Sequence, residues 1–530
     1  MTQRDERFEH TRRQLIRKFG AAAGVFIAVP LLTRESFAQA PFSFSSDPFQ
    51  LGIAAGDPAA DGFVIWTRLA PRPFEMGFGM SNQPVEVDWE VAADDKFASI
   101  VRSGKEIASP LLGHSVHAEV TGLQPDRPYW YRFRAGGAQS PQGKAKTAPV
   151  AGAPFGHVKF AVAGCQNFPT GFFSAYKHLV AEEPDFVFCY GDYIYEGGGG
   201  NQPVDVTSPL AARRHFAGEI YSVDDYRRRY AQYKSDADLR AAHAAAAWWT
   251  VWDDHETENN WASEWDENGS PPELFKFRRA AAAQAYYENM PLRKTSLPVG
   301  SAIQLYRRAV YGDLMDFNLL DTRQFRSNQP CNDKAEGCTD VAQPKAEFMG
   351  RTQEDWLFKG FAASKAKWRC IAQQVMMMDL DRDPAPNKVR YNIDSWAGYR
   401  TPRERVLSHI RDKKVSNVVV LTGDEHVNFA GELHVDGKKP GPKPVAVEFV
   451  STSITSAGDG QDANDNAKAM DVANEQLKFI NQQRGYVICD VTKERWETTF
   501  RVIDKVTTPG GAISTRKKFV VEPGVSQLTA

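Results

Sequence analysis

An α/β catalytic core behind an all-β N-terminal domain is the fold the sequence predicts, on three observations. Short apolar runs rich in β-branched or aromatic residues each end in an acidic motif. DFVFCY runs into GDYIYE (Gly191 to Glu196), AWWTV into WDDHE (Trp252 to Glu256), and VVVL into TGDEH (Thr422 to His426). Runs of that kind suit parallel strands buried on both faces. From Val158, a strand, a helical stretch over Thr170 to Glu183 and a second strand follow in βαβ order. Residues 41 to about 150, in contrast, hold alternating strands with no helical period between them. At 530 residues the chain exceeds one ordinary core, so two domains are expected.

In chain order, the first forty residues read as a leader. Arg12 and Arg13 lie in TRRQLIRK, followed by the apolar run Ala21 to Leu32 and by Ala38-Gln39-Ala40. A charged region, a short apolar run and a small-residue cleavage site make an export signal, and the paired arginines fit the twin-arginine type. The run is too short for a comfortable membrane span. Domain boundaries are therefore expected at 1–40 for the signal, 41–150 for the β-domain and 151–530 for the catalytic domain. The whole chain carries a formal charge of −2, and loss of the leader leaves it near −5, which is no footprint for nucleic acid.

In the β-domain, VEVDWEVA (Val85 to Ala92) alternates, and His117 to Ala135 gives two strands around a proline-containing turn. Leu123, Pro125, Tyr129 and Tyr131 resemble the corner of a fibronectin type III-like sandwich. Pro149 to Gly156 makes a linker. Later helices are expected to start at the capping boxes Ser270–Glu273 and Thr401–Glu404. PVAVEFVSTS and GYVICDVTKERWETTFRVID read as strands, the last two antiparallel. Among six cysteines, Cys331 and Cys338 bracket a polar turn and are expected to pair, while Cys189, Cys370 and Cys489 read as buried small hydrophobes.

The acids of the three motifs fall just past strand ends, where open α/β sheets bind ligands. One such acid is as readily a helix cap, but three motifs with further donors at short spacing point to a metal centre. Asp192 and Tyr195 lie three apart, Asp254 and His255 offer oxygen and imidazole, Glu256 can orient a neighbour, and Asp424 and His426 lie two apart. Hard oxygen donors with imidazole suit cations used in phosphoryl chemistry. After the first strand of the large domain, GCQN (Gly164 to Asn167) adds a thiol at Cys165, which reads either as a ligand or as a core cysteine, and a carbonyl oxygen at Asn167. A thiolate with the phenolate of Tyr195 favours Fe³⁺ over Mg²⁺ or Ca²⁺. Arg323 and Arg326 in LDTRQFR offer guanidinium forks for a phosphate, or Asp321 and Arg323 pair with each other; Arg484 is of the same sort.

The words GCQN, GDYIYE, WDDHE, LDTRQFR and TGDEH, in this order, resemble the alkaline phosphatase D (PhoD) family of metallophosphoesterases. That resemblance implies a four-layer αββα core, export in the folded state to the periplasm or beyond, and a centre of Fe³⁺ with Ca²⁺, other divalent metals remaining open. It places metal ligands at Cys165, Asp192, Tyr195, Asp254, Asp424 and His426, with Asp192 bridging, and favours Asp254 over Asp253. Expected catalytic residues are His255, Asp254 and Arg323. His255 would protonate the leaving group or hold the phosphate, or else only orient Asp254. The expected activity is hydrolysis of phosphate mono- or diesters by in-line attack of metal-bound hydroxide. Alternatives are a phosphodiesterase or phospholipase D-like enzyme acting on lipid headgroups or nucleic-acid fragments, and a non-catalytic exported binding protein. The expected partners are the phosphate ester and the twin-arginine translocation machinery, with no stable nucleic-acid complex and no membrane span in the mature chain.

Overall fold

The computed structural model describes residues 43–198, 207–333, 338, 343–383, 390–437, 441 and 443–529. The expected leader, with Arg12 and Arg13, lies outside the described residues. Two large sheets dominate. The first has nine strands, from edge to edge Ile513–Val521, Trp496–Ile503, Arg484–Thr492, His157–Ala163, Phe186–Cys189, Ala247–Thr250, Ile53–Ala59, Gly62–Arg68 and Ser115–Val120. The second has seven: Arg307–Tyr311, Met315–Leu319, Trp368–Ala372, Val418–Thr422, Ala446–Val450, Asn428–Leu433 and Leu477–Asn481. At the centre of each, neighbouring strands are parallel, so their C-terminal ends lie on one edge.

The expected period of two is visible strand by strand. In Phe186–Cys189 the side chains of Phe186 and Phe188 join Phe160, Phe317 and Phe449 in a core between the two sheets. Val187 and Cys189 face the other way, into a layer of helical residues including Tyr176, Tyr226 and Tyr286. In Val418–Thr422, Val419 and Leu421 enter the core between the sheets, whereas Val418 and Val420 meet Leu357, Val406 and Ile410. Helices thus cover both outer faces, giving the four-layer αββα sandwich that the resemblance implied.

Residues 41–150 supply strands to two sheets. Ile53–Ala59, Gly62–Arg68 and Ser115–Val120 extend the nine-stranded sheet, Ile53–Ala59 pairing in parallel with Ala247–Thr250. Val85–Ala92, Ile100–Ala108, Pro128–Ala135, Ala138–Gln139 and Gly143–Lys146 form a separate five-stranded sheet. Its corner is as expected: the Tyr129 hydroxyl accepts the Gln124 N–H at 2.9 Å. Cys331 and Cys338 form a disulfide, and Cys189, Cys370 and Cys489 are buried thiols.

The two expected capping boxes are not formed. The helix Pro272–Asn289 begins after Pro271, and the Ser270 N–H is instead bound by Asp266 Oδ1 at 2.7 Å. The helix Arg400–Asp412 begins one residue before Thr401, with Tyr399 at its N-cap. Neither helix has a side-chain cap at its N-cap residue.

Candidate metal centre

The loops after the parallel strands of both sheets meet over one edge. Cys165 follows His157–Ala163, Asp192 and Tyr195 follow Phe186–Cys189, and Asp253, Asp254 and His255 follow Ala247–Thr250. From the second sheet come Arg323 after Met315–Leu319, Asp424 and His426 after Val418–Thr422, and Ser456 after Ala446–Val450. Cys165, Asp192, Asp424 and His426 all have positive φ (51°, 53°, 67° and 54°). Each costs on the order of 1 kcal/mol or more, a strain characteristic of functional sites.

Three sets of donor atoms, each within 4.8 Å of one another, converge there: Cys165, Asp192 and His426; Asp192, Asp254 and His255; Asp253, Asp254 and Asp424. Asp192 belongs to the first two sets and Asp254 to the last two, so the sets form a chain with shared carboxylates. The Tyr195 hydroxyl joins the first set, donating to Asp192 Oδ2 at 2.8 Å and lying 2.9 Å from His426 Nε2. Ser456 Oγ is 2.6 Å from that hydroxyl and 2.7 Å from the Cys165 carbonyl oxygen.

Around these donors sit residues that orient them. Glu196 accepts from His255 Nδ1 at 2.7 Å, and the His255 ring lies on Tyr195 at 4.1 Å between centroids. Glu256 receives the N–H groups of Asp192, Tyr193 and Asp253, binding two motif loops together as its expected orienting role required. Arg323, expected at the phosphate, has no exposed surface. Its Nε binds Asp253 Oδ1 at 2.6 Å, its Nη1 binds Asp394 Oδ1 at 2.7 Å, and its Nη2 lies 3.7 Å from Asp254 Oδ1. The expected Asp321–Arg323 side-chain pair is absent; Asp321 Oδ1 takes the Arg323 amide instead. Arg326 binds Asp394 and the Thr322 carbonyl, and Arg484 the His426 carbonyl and Ser453, each keeping one buried nitrogen without a partner.

The electrostatics follow from burial. Burial pushes Asp192 up to about 7, with His255 opposing and Asp254 adding to the rise. Asp253 and Asp424 are driven well above the carboxylate range, burial again leading. Burial would raise Asp254 too, but Arg323 and His255 outweigh it and hold the group below its ordinary value. For His255, burial is overcome by Glu196, Asp254 and Asp192, which keep the imidazolium. Burial, His255 and Arg484 push His426 down to about 3. Too many anions share too little positive charge. Asp192 Oδ1, Asp253 Oδ2 and the Asn167 carbonyl oxygen Oδ1 are moreover buried with no hydrogen-bond partner. Unsatisfied oxygens beside crowded carboxylates fit a site made for cations.

Glu196, Asp394 and Ser456 were not singled out from the sequence. Glu196 closes the GDYIYE motif and Ser456 ends the STSITS run after a strand, so the strand-end rule had reached their neighbourhoods. Asp394 carried no such signal.

Comparison with known proteins agrees throughout the chain. The PhoD-like phosphatase family model matches residues 160–500, and the model of the PhoD-like phosphatase N-terminal domain matches residues 36–149. Alkaline phosphatase D of Bacillus subtilis (strain 168) is 46% identical over 525 residues, covering 98% of this chain and 89% of that protein. A solved structure described as that of PhoD superposes with a TM-score of 0.88 at 47% identity, covering 92% of this chain and 93% of the other.

Proposed function

This chain belongs to the PhoD-like phosphatase family and is a metal-dependent phosphoric ester hydrolase, and on that premise we propose how its residues do the work. The observation that carries the proposal is Asp192, shared between two donor sets with one oxygen unpartnered. Asp192 would be shared by two cation sites. Cys165, Tyr195 and His426 complete a set whose thiolate and phenolate suit Fe³⁺, while the all-carboxylate set of Asp253, Asp254 and Asp424 suits Ca²⁺. Cations bound there would neutralise phosphate-ester oxygens and acidify a water.

The protein's own groups do the rest. Glu196 accepts from His255 Nδ1 and favours the protonated ring, which would let His255 give a proton to the leaving-group oxygen. Arg323 acts as a positioning residue, fixing Asp253 and Asp254 against Asp394 instead of touching phosphate. Residues 1–40 would direct twin-arginine export to the periplasm or medium; among the described residues no helix is long and apolar enough to cross a membrane. Residues 41–150 would serve as a positioning module for the catalytic residues 151–530.

Substituting Asp192→Asn tests the centre. The expected result is a loss of phosphate-ester turnover of at least about 100-fold, since even outer partners of ligands cost 10–100-fold. The metal-free variant should melt higher than metal-free wild type, because one crowded charge is gone. Wild-type turnover in the variant would refute the assignment.

A further inference from the structure

We propose that Tyr233, Arg229 and His215 form a clamp that positions Tyr195 and the Cys165 loop. Tyr233 and Arg229 lie one turn apart on the helix Val223–Lys234, on one face. The Tyr233 hydroxyl receives the amide N–H of Tyr195 at 3.1 Å and that of Phe168 at 3.2 Å. Phe168 lies three residues past Cys165, so one oxygen ties the thiol's loop to the phenol's loop.

The partners of the His215 ring fix its protons. His215 Nδ1 lies 2.8 Å from the Gly197 carbonyl oxygen and Nε2 lies 3.1 Å from the Tyr233 hydroxyl. A carbonyl only accepts, so Nδ1 carries the proton, and Nε2 of the neutral ring accepts from Tyr233. Burial and the nearby Arg229 push His215 down to about 3, which keeps the ring neutral. Tyr233 therefore donates once and accepts twice, and its hydroxyl is saturated.

Arg229 holds the other side of the same residue. Its Nη1 donates to the carbonyls of Tyr195 and Gly197, the latter at 2.9 Å, and its Nη2 to the Gly218 carbonyl at 3.1 Å. Both the N–H and the C=O of Tyr195 are thus gripped from one helix face, which leaves its hydroxyl aimed at Asp192 and His426. None of the three clamp residues belongs to a donor set. The clamp has this consequence only on the proposal above that Tyr195 and Cys165 are metal ligands.

The test compares wild type with Tyr233→Phe in the full exported protein, by visible spectrum and by loss of ferric iron to a competing chelator. The phenyl ring keeps its contacts with Phe168 and Phe173 at 5.5 and 6.0 Å, so packing is retained. The clamp predicts that Tyr233→Phe releases iron at 10–100-fold lower chelator concentration, with a weakened or displaced tyrosinate band. Should that variant fail to fold, His215→Ala is expected to shift both readouts in the same direction and His215→Gln, which keeps a donor and an acceptor, to restore them. Chelator resistance and band unchanged from a coloured wild type would overturn the clamp alone. A wild type without any tyrosinate band would overturn the ligand assignment and the clamp with it.

Discussion

Glu258, four residues past Asp254, is buried; its Oε1 accepts from Asn268 at 2.6 Å and its Oε2 has no partner. Burial, opposed by Arg278 and aided by Asp266, raises its carboxyl to about 8. An unfolded glutamate loses its proton near the ordinary value of 4.5. Between that value and about 8 the native chain therefore binds more protons, so this group's contribution to stability falls as pH rises. Glu258→Gln should flatten the fall in Tm across that window and raise Tm at pH 8 by a few degrees, checked by thermal melts from pH 5 to 8. An unchanged slope would refute the shifted carboxyl. Residues of this kind are hard to read in a sequence, because their character comes from burial and distant charges. Cys165, Asp192, Asp254 and Asp424 were legible, since the strand-end rule needs only local pattern. Arg323 was legible as a cation near the site but not as a buried one: its partner Asp253 lies 70 residues earlier.

The loop after Phe186–Cys189 shows what an element must do to carry a ligand. Gly191 sits at φ 129°, and a β-carbon there would lie 2.4 Å from Cβ of Asp253 and 2.5 Å from its backbone nitrogen. The chain passes so close that Asp192 and Asp253 approach, which places both in reach of Glu256. Gly191→Ala should cost about 3 kcal/mol from overpacking and backbone strain, measured by urea unfolding, and should reduce bound metal; a loss under about 0.5 kcal/mol would deny the close approach. Strands and their facing pattern were readable here because alternation is a local property. The starts of Pro272–Asn289 and Arg400–Asp412 were not: Asp266, outside the box, takes the Ser270 N–H, and the second helix begins one residue early with no side-chain cap.

Over the whole molecule, the two sheets bring the C-terminal ends of their parallel strands to one site, and the N-terminal strands are part of that frame. Ile53–Ala59 covers the edge of Ala247–Thr250, the strand that delivers Asp253, Asp254 and His255. Residues 151–530 expressed alone would expose that edge and its apolar face, so they should aggregate; soluble, monomeric protein with full turnover would contradict this. Pairing between strands almost two hundred residues apart has no signature in one sequence, which is why the strands of 41–150 read as a domain apart. Asp192 would join a centre of several metal ions. Its most direct test is elemental analysis of active, purified protein for metal equivalents per chain. At least two are expected, iron and calcium among them, falling together in Asp192→Asn. Fully active protein with less than one equivalent of any metal would contradict it.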